Sequence, residues 1–104
     1  MKVVISRRVR DFLVTEKAYL RRHSNSAAKR LILRMRDAAR LLADFPMAGA
    51  ERFLPIRDLR RLVVDDYVLD YEIRGTEVHV LNMRHGRQKD PYLEIERDFD
   101  FEEE

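Results

Sequence analysis

Apolar residues recur along this chain in two different rhythms, and the change of rhythm divides it. The β-branched run Val3-Val4-Ile5 predicts a short strand over Lys2 to Ile5, and Ser6 comes next as a helix N-cap. From Arg7 to about Arg22, Val9, Phe12, Leu13, Tyr19 and Leu20 keep helical spacing and predict one core-facing stripe. His23-Ser24-Asn25-Ser26 is a turn whose Ser and Asn side chains can cap a second helix. That helix is predicted from about Ser26 to Asp44. Ala28, Leu31, Met35, Ala38, Leu42 and Phe45 mark its buried side, and Lys29, Arg30, Arg34, Arg36 and Arg40 its polar side. Pro46 ends it, because the residue before proline is pushed out of the helical region. Gly49 then permits a turn. The short link between the helices favours an antiparallel hairpin.

The second half has a period of two. Phe53 to Val64 contains an extended segment, with Pro55 keeping its start irregular or at an edge. Asp65-Asp66 is a turn. Tyr67, Leu69, Tyr71 and Ile73 then alternate with Val68, Asp70, Glu72 and Arg74, and Val78 to Met83 returns after Arg74-Gly75-Thr76 as a hairpin. Beyond Pro91, Leu93, Ile95, Phe99 and Phe101 alternate with Glu94, Glu96, Asp98, Asp100 and Glu102. That segment reads either as an added edge strand or as chain without fixed structure. The order strand, helix, helix and about three strands predicts an α+β fold, a helical hairpin on one face of a small, mostly antiparallel sheet. Tyr67, Leu69, Tyr71 and Ile73 would lie beneath the helices, and Val68, Asp70 and Glu72 on the open face.

Composition narrows the chemistry. At 104 residues there is room for one core. No cysteine is present, which excludes disulfides, thiolate chemistry and Cys-based zinc sites. No apolar run approaches the ~20 residues of a membrane span. Arg7, Arg8, Arg10, Asp11, Glu16 and Lys17 make the start too polar for a secretory leader. A cytoplasmic protein is expected. The net charge of +2 hides an asymmetry, +9 over residues 1–40 and −7 over residues 90–104. A basic front and an acidic tail suit an anionic partner, or a tail that competes for the basic face. The plainer reading is a solvated helical surface with a frayed end.

Few residues carry recognisable chemistry. His23, His79 and His85 show no metal-ligand spacing, the three glycines form no phosphate loop, and Ser6, Ser24 and Ser26 lack a nucleophile elbow. No metal or cofactor is expected. Arg84-His85-Gly86-Arg87-Gln88-Lys89 gathers several donors and one imidazole where a strand exits. Histidine can act as a general acid or base near neutral pH, and arginine can grip phosphate or carboxylate. The simpler alternative is a set of exposed basic residues with no catalytic task.

The order of these pieces resembles the RelE/ParE superfamily of type II toxin–antitoxin toxins, in particular its ParE-like, plasmid-stabilisation branch. The opening Val-Val-Ile strand precedes a basic helix, and the Ala27-Ala28 helix ends in Leu42-Ala43-Asp44-Phe45-Pro46-Met47-Ala48-Gly49. Leu59-Arg60 leads to Tyr67-Val68-Leu69-Asp70-Tyr71, and Val78 to Met83 leads to Arg84-His85-Gly86-Arg87. The resemblance covers residues 1–91 as one domain and leaves 92–104 as an acidic extension. It implies a bacterial toxin that forms a hetero-oligomer with, and is neutralised by, a cognate antitoxin. RelE-like members cut mRNA on the ribosome, and ParE-like members poison DNA gyrase without a known catalysed reaction.

Cleavage of RNA needs preorganised cations and an acid or base, because the attacking 2′-hydroxyl loses a proton and the phosphorane gains charge. Ribonucleolytic members commonly carry an arginine where this chain has Val68, and Asp70 and Glu72 would add negative charge to the same face. Arg61, Arg84, His85, Arg87 and Tyr92 make a partial catalytic set. The expectation is therefore gyrase inhibition, with Arg7, Arg8, Arg10, Arg30, Arg34, Arg84 and Arg87 contacting the partner. Ribosome-dependent mRNA cleavage is the alternative, and a non-toxic binding remnant is a third reading.

Overall fold

The computed structural model describes residues 1–53 and 58–87. Strand β1 (Lys2–Ile5) leads into helices α1 (Arg7–His23) and α2 (Asn25–Asp44), followed by strands β2 (Ala50–Phe53), β3 (Asp58–Val64), β4 (Tyr67–Arg74) and β5 (Glu77–His85). The sheet order is β1-β5-β4-β3-β2. β1 runs parallel to β5, and every other pair is antiparallel. This is the α+β fold expected from the two rhythms. The acidic extension lies outside the described residues.

Two serines set the helix boundaries. Ser6 Oγ accepts the Val9 N–H at 3.2 Å and donates to the Leu81 carbonyl at 3.0 Å. It therefore caps α1 and fastens that end to β5. The Ser24 N–H donates to the Leu20 carbonyl, and its Oγ accepts the Ala27 N–H at 3.2 Å. One residue thus closes α1 and opens α2. Arg21, Arg22 and His23 in the last turn of α1 complement the negative end of its dipole.

The core lies between the helices and one face of the sheet. Val9, Leu31, Ala38 and Leu42 of the helices pack with Tyr67, Leu69, Tyr71, Val78, Val80 and Met83 of the strands. Phe12, Leu13, Leu20, Met35 and Ile73 close its margin. Two expected core residues are corrected. Tyr19 is exposed, with its ring 4.9 Å from that of His23. Phe45, the last residue before Pro46, is also exposed. The position on the α1 stripe seven residues after Val9 belongs instead to Glu16, which is buried.

The link from α2 to the sheet depends on Tyr71, which is fully buried. Its hydroxyl donates to the Pro46 carbonyl at 2.7 Å and accepts the Gly49 N–H at 2.8 Å. A Cβ on Gly49 would stand 2.7 Å from Tyr71 Cε1 and 2.9 Å from the Arg61 carbonyl oxygen. Gly49 is needed for this close approach. The chain then enters β2 directly, so four strands come after the helices where about three were expected.

A bulge interrupts the central hairpin. Asp70 pairs with Asn82 while its neighbour Tyr71 pairs with Val80, which leaves Leu81 as a surplus residue. Tyr67 and Leu69 share the helix side with His85 and Met83, whereas Val68 and Asp70 pair across from Arg84 and Asn82 on the far side. The expected sorting of β4 between the two faces is correct. The far face is not open at its centre, however, since Asp70 is 1% exposed.

Two substitutions test the Tyr71 contact. Gly49→Ala meets backbone that cannot yield, and Tyr71→Phe leaves the Gly49 N–H buried without an acceptor. Each should destabilise the fold by about 1–3 kcal/mol, read as a lower urea midpoint with an unchanged m-value.

Candidate functional site

At the open end of the β4–β5 hairpin, three polar side chains converge under α1. Tyr67 opens β4, His85 closes β5, and the two are cross-strand partners. Their rings lie 4.8 Å apart, and Phe12 of α1 meets both edge-on at 6.1 and 6.0 Å. Glu16, one turn after Phe12, points into this aromatic corner. Its Oε2 accepts the Tyr67 hydroxyl at 2.6 Å and lies 2.7 Å from His85 Nε2. A buried carboxylate needs such partners, because desolvation without donors is expensive. Burial, the hydrogen bond to Glu16 and the charges of Glu16, Asp66 and Asp65 all push the Tyr67 phenol well above its ordinary value. Tyr67 is held as a donor.

His85 also lines a cleft of about 380 Å³ with Asp65, Asp66, Val68 and Arg87. An imidazole fixed by a carboxylate at the rim of a cleft is the arrangement that orients a proton-transfer group. The nearby Asp65 and Asp66 make this cleft mixed in charge. Asp65 has φ 53°, the left-handed conformation of a tight turn.

The other expected site residues lie elsewhere. Arg61 of β3 donates to both oxygens of Asp70, at 2.8 and 3.2 Å, in a bidentate pair. Arg84 is buried on the same face, and its Nη1 donates to the His85 carbonyl at 3.1 Å. His85 projects to the opposite side, towards α1, and Arg87 is exposed in the turn after β5. Tyr92 lies outside the described residues. Arg7, Arg8 and Arg10 are exposed in the first turn of α1. Arg30 and Arg34 border a second cleft, of about 390 Å³, between α2 and the β3–β4 turn. Arg34 Nε donates across it to Asp65 Oδ2 at 3.1 Å. Sequence reasoning passed over Glu16. The available signal was a carboxylate on an otherwise apolar helical stripe.

The site thus sits on a helical hairpin laid against a five-stranded sheet, with exposed basic residues at the start of α1. The chain matches the family model described as the ParE toxin of the type II toxin–antitoxin system, parDE, over residues 3–90. It is also 35% identical over 68 residues to Toxin RelE2 of Caulobacter vibrioides, a match covering 65% of this chain and 75% of that protein. The chain belongs to the ParE toxin family of type II toxin–antitoxin systems, and its partner is an antitoxin.

The phenol shift has a sign that can be checked. A folded value above the unfolded value of 10.0 means that this contact stabilises the fold fully below pH 10.0 and ceases to do so as pH rises through the folded value. Absorbance titration should show a tyrosine that ionises only at strongly alkaline pH, and Tyr67→Phe should remove that late step. Glu16→Ala leaves the Tyr67 hydroxyl buried without its acceptor and should cost about 1–3 kcal/mol in denaturant unfolding.

Proposed function

We propose that this toxin acts by binding and inhibiting DNA gyrase rather than by cutting RNA. The carrying observation is the bidentate Arg61–Asp70 pair in the centre of the sheet. A guanidinium already matched by a carboxylate adds little field to a developing phosphorane. Arg84 is buried beside the pair, while His85 is bound to Glu16 on the other side of the sheet. The groups that scission requires are therefore divided between two faces. The exposed Arg7, Arg8 and Arg10 supply charge for gripping a macromolecule instead.

mRNA cleavage is a second reading with its own support. His85 and Arg87 share one cleft, and the Caulobacter relative carries the name RelE2. Purified chain added to gyrase should block supercoiling or trap cleaved DNA. Primer extension on mRNA from induced cells should show no new 5′ ends. Unimpaired supercoiling at excess toxin, together with transcript cleavage abolished by Arg87→Ala or His85→Ala, would reverse the assignment.

A further inference from the structure

The helical hairpin carries a third groove, of about 450 Å³, lined by side chains of α1 and α2 alone. Lys17 and Arg21 of α1 form one wall, and Lys29 and Arg36 of α2 the other. Ile32 and Leu33 lie between them, and Leu33 is 57% exposed. Among the described residues no carboxylate lines the groove, and none of its four cations forms an ion pair. Lys17 and Arg21 are four residues apart on one helix, a spacing at which like charges repel. An exposed leucine ringed by unmatched cations suits an occupant that is apolar and strongly anionic.

The chain contains such an occupant. Leu93, Ile95, Phe99 and Phe101 alternate with carboxylates in a stretch where residues 90–104 carry a net −7. The described chain ends beside α1, the helix that forms one wall of the groove. Arg87 comes two residues after His85, and His85 Nε2 lies 2.7 Å from Glu16, whose neighbour Lys17 forms part of the groove wall. Residues 88–91 alone can span about 13 Å at roughly 3.3 Å per residue, against a helix diameter of about 10–12 Å.

We propose that the acidic segment 92–104 docks in this groove of its own chain. Its carboxylates meet Lys17, Arg21, Lys29 and Arg36, and its apolar side chains cover Ile32 and Leu33. The docked segment shields the cationic face of the hairpin and competes with any other acidic peptide for it. The proposal concerns this groove and does not depend on which target the toxin attacks.

The absence of native cysteine makes the test clean. Leu33→Cys is combined in turn with Ile95→Cys and with Phe99→Cys in the full chain, and disulfide formation under mild oxidant is monitored by non-reducing electrophoresis and peptide mass mapping. Val63→Cys is the comparison. It lines the same cleft as Arg87, so an undocked segment would meet it first. At least one Leu33 pair should close within a single chain about tenfold faster than its Val63 counterpart, at a rate independent of protein concentration. Lys29→Glu with Arg36→Glu should remove that advantage, as should about 1 M salt, where charges are screened beyond roughly 3 Å. Equal rates at both positions, faster closure at Val63, or bonds formed only between two chains would overturn the proposal.

Discussion

A carboxylate withdrawn from water must find donors, and in this protein that requirement organises one end of the fold. Glu16 finds them in Tyr67 and His85, which face each other across the open end of the β4–β5 hairpin. The first helix is thereby tied to the first residue of one strand and the last residue of the next. Hydrophobic packing alone would allow α1 to slide over Val78 and Val80, since apolar contact has no preferred direction. The paired contacts to one oxygen fix its position. They also engage His85, which the register of β5 places on the helix side.

On the far side a second buried acid is satisfied differently. Asp70 takes both hydrogen bonds from the Arg61 fork, and the pair occupies the centre of the sheet. The two buried acids, one on each face, leave different surroundings. Near Glu16 there is an aromatic corner open to a mixed-charge cleft. Around Asp70 the charge is met by Arg61 and the centre of the face is buried. Among the described residues, unmatched positive charge is concentrated on the helical hairpin.

The fold was legible because its periodicities are clean. Val9, Phe12 and Leu13 on one helix, Leu31, Ala38 and Leu42 on the other, and the Tyr67–Ile73 alternation all place side chains where simple geometry requires them. Ser6 announced the first helix start, and the Ser24-Asn25-Ser26 turn placed the second within a residue or so. Tyr19 and Phe45 were misplaced because an aromatic at the edge of a helical stripe can turn to solvent when a neighbour fills the core. The β2 strand was missed because Ala50 to Phe53 is too short to show alternation. The site was less legible for a specific reason. Its decisive contacts, Glu16 to His85 and Arg61 to Asp70, join residues far apart or on neighbouring strands, and pattern along one chain does not report pairing between strands. A charged residue on an apolar stripe was the one local clue, and it was Glu16.

The surplus residue at Leu81 acts as a phase shift in β5. Continued without interruption, the alternation of Val78 and Val80 would carry Arg84 to the underside of α1 and send His85 to the far face. A permanently charged guanidinium would then confront Glu16 in place of an imidazole, which can gain or lose its charge. A single extra amino acid in one strand thus decides which kind of base the helix rests on.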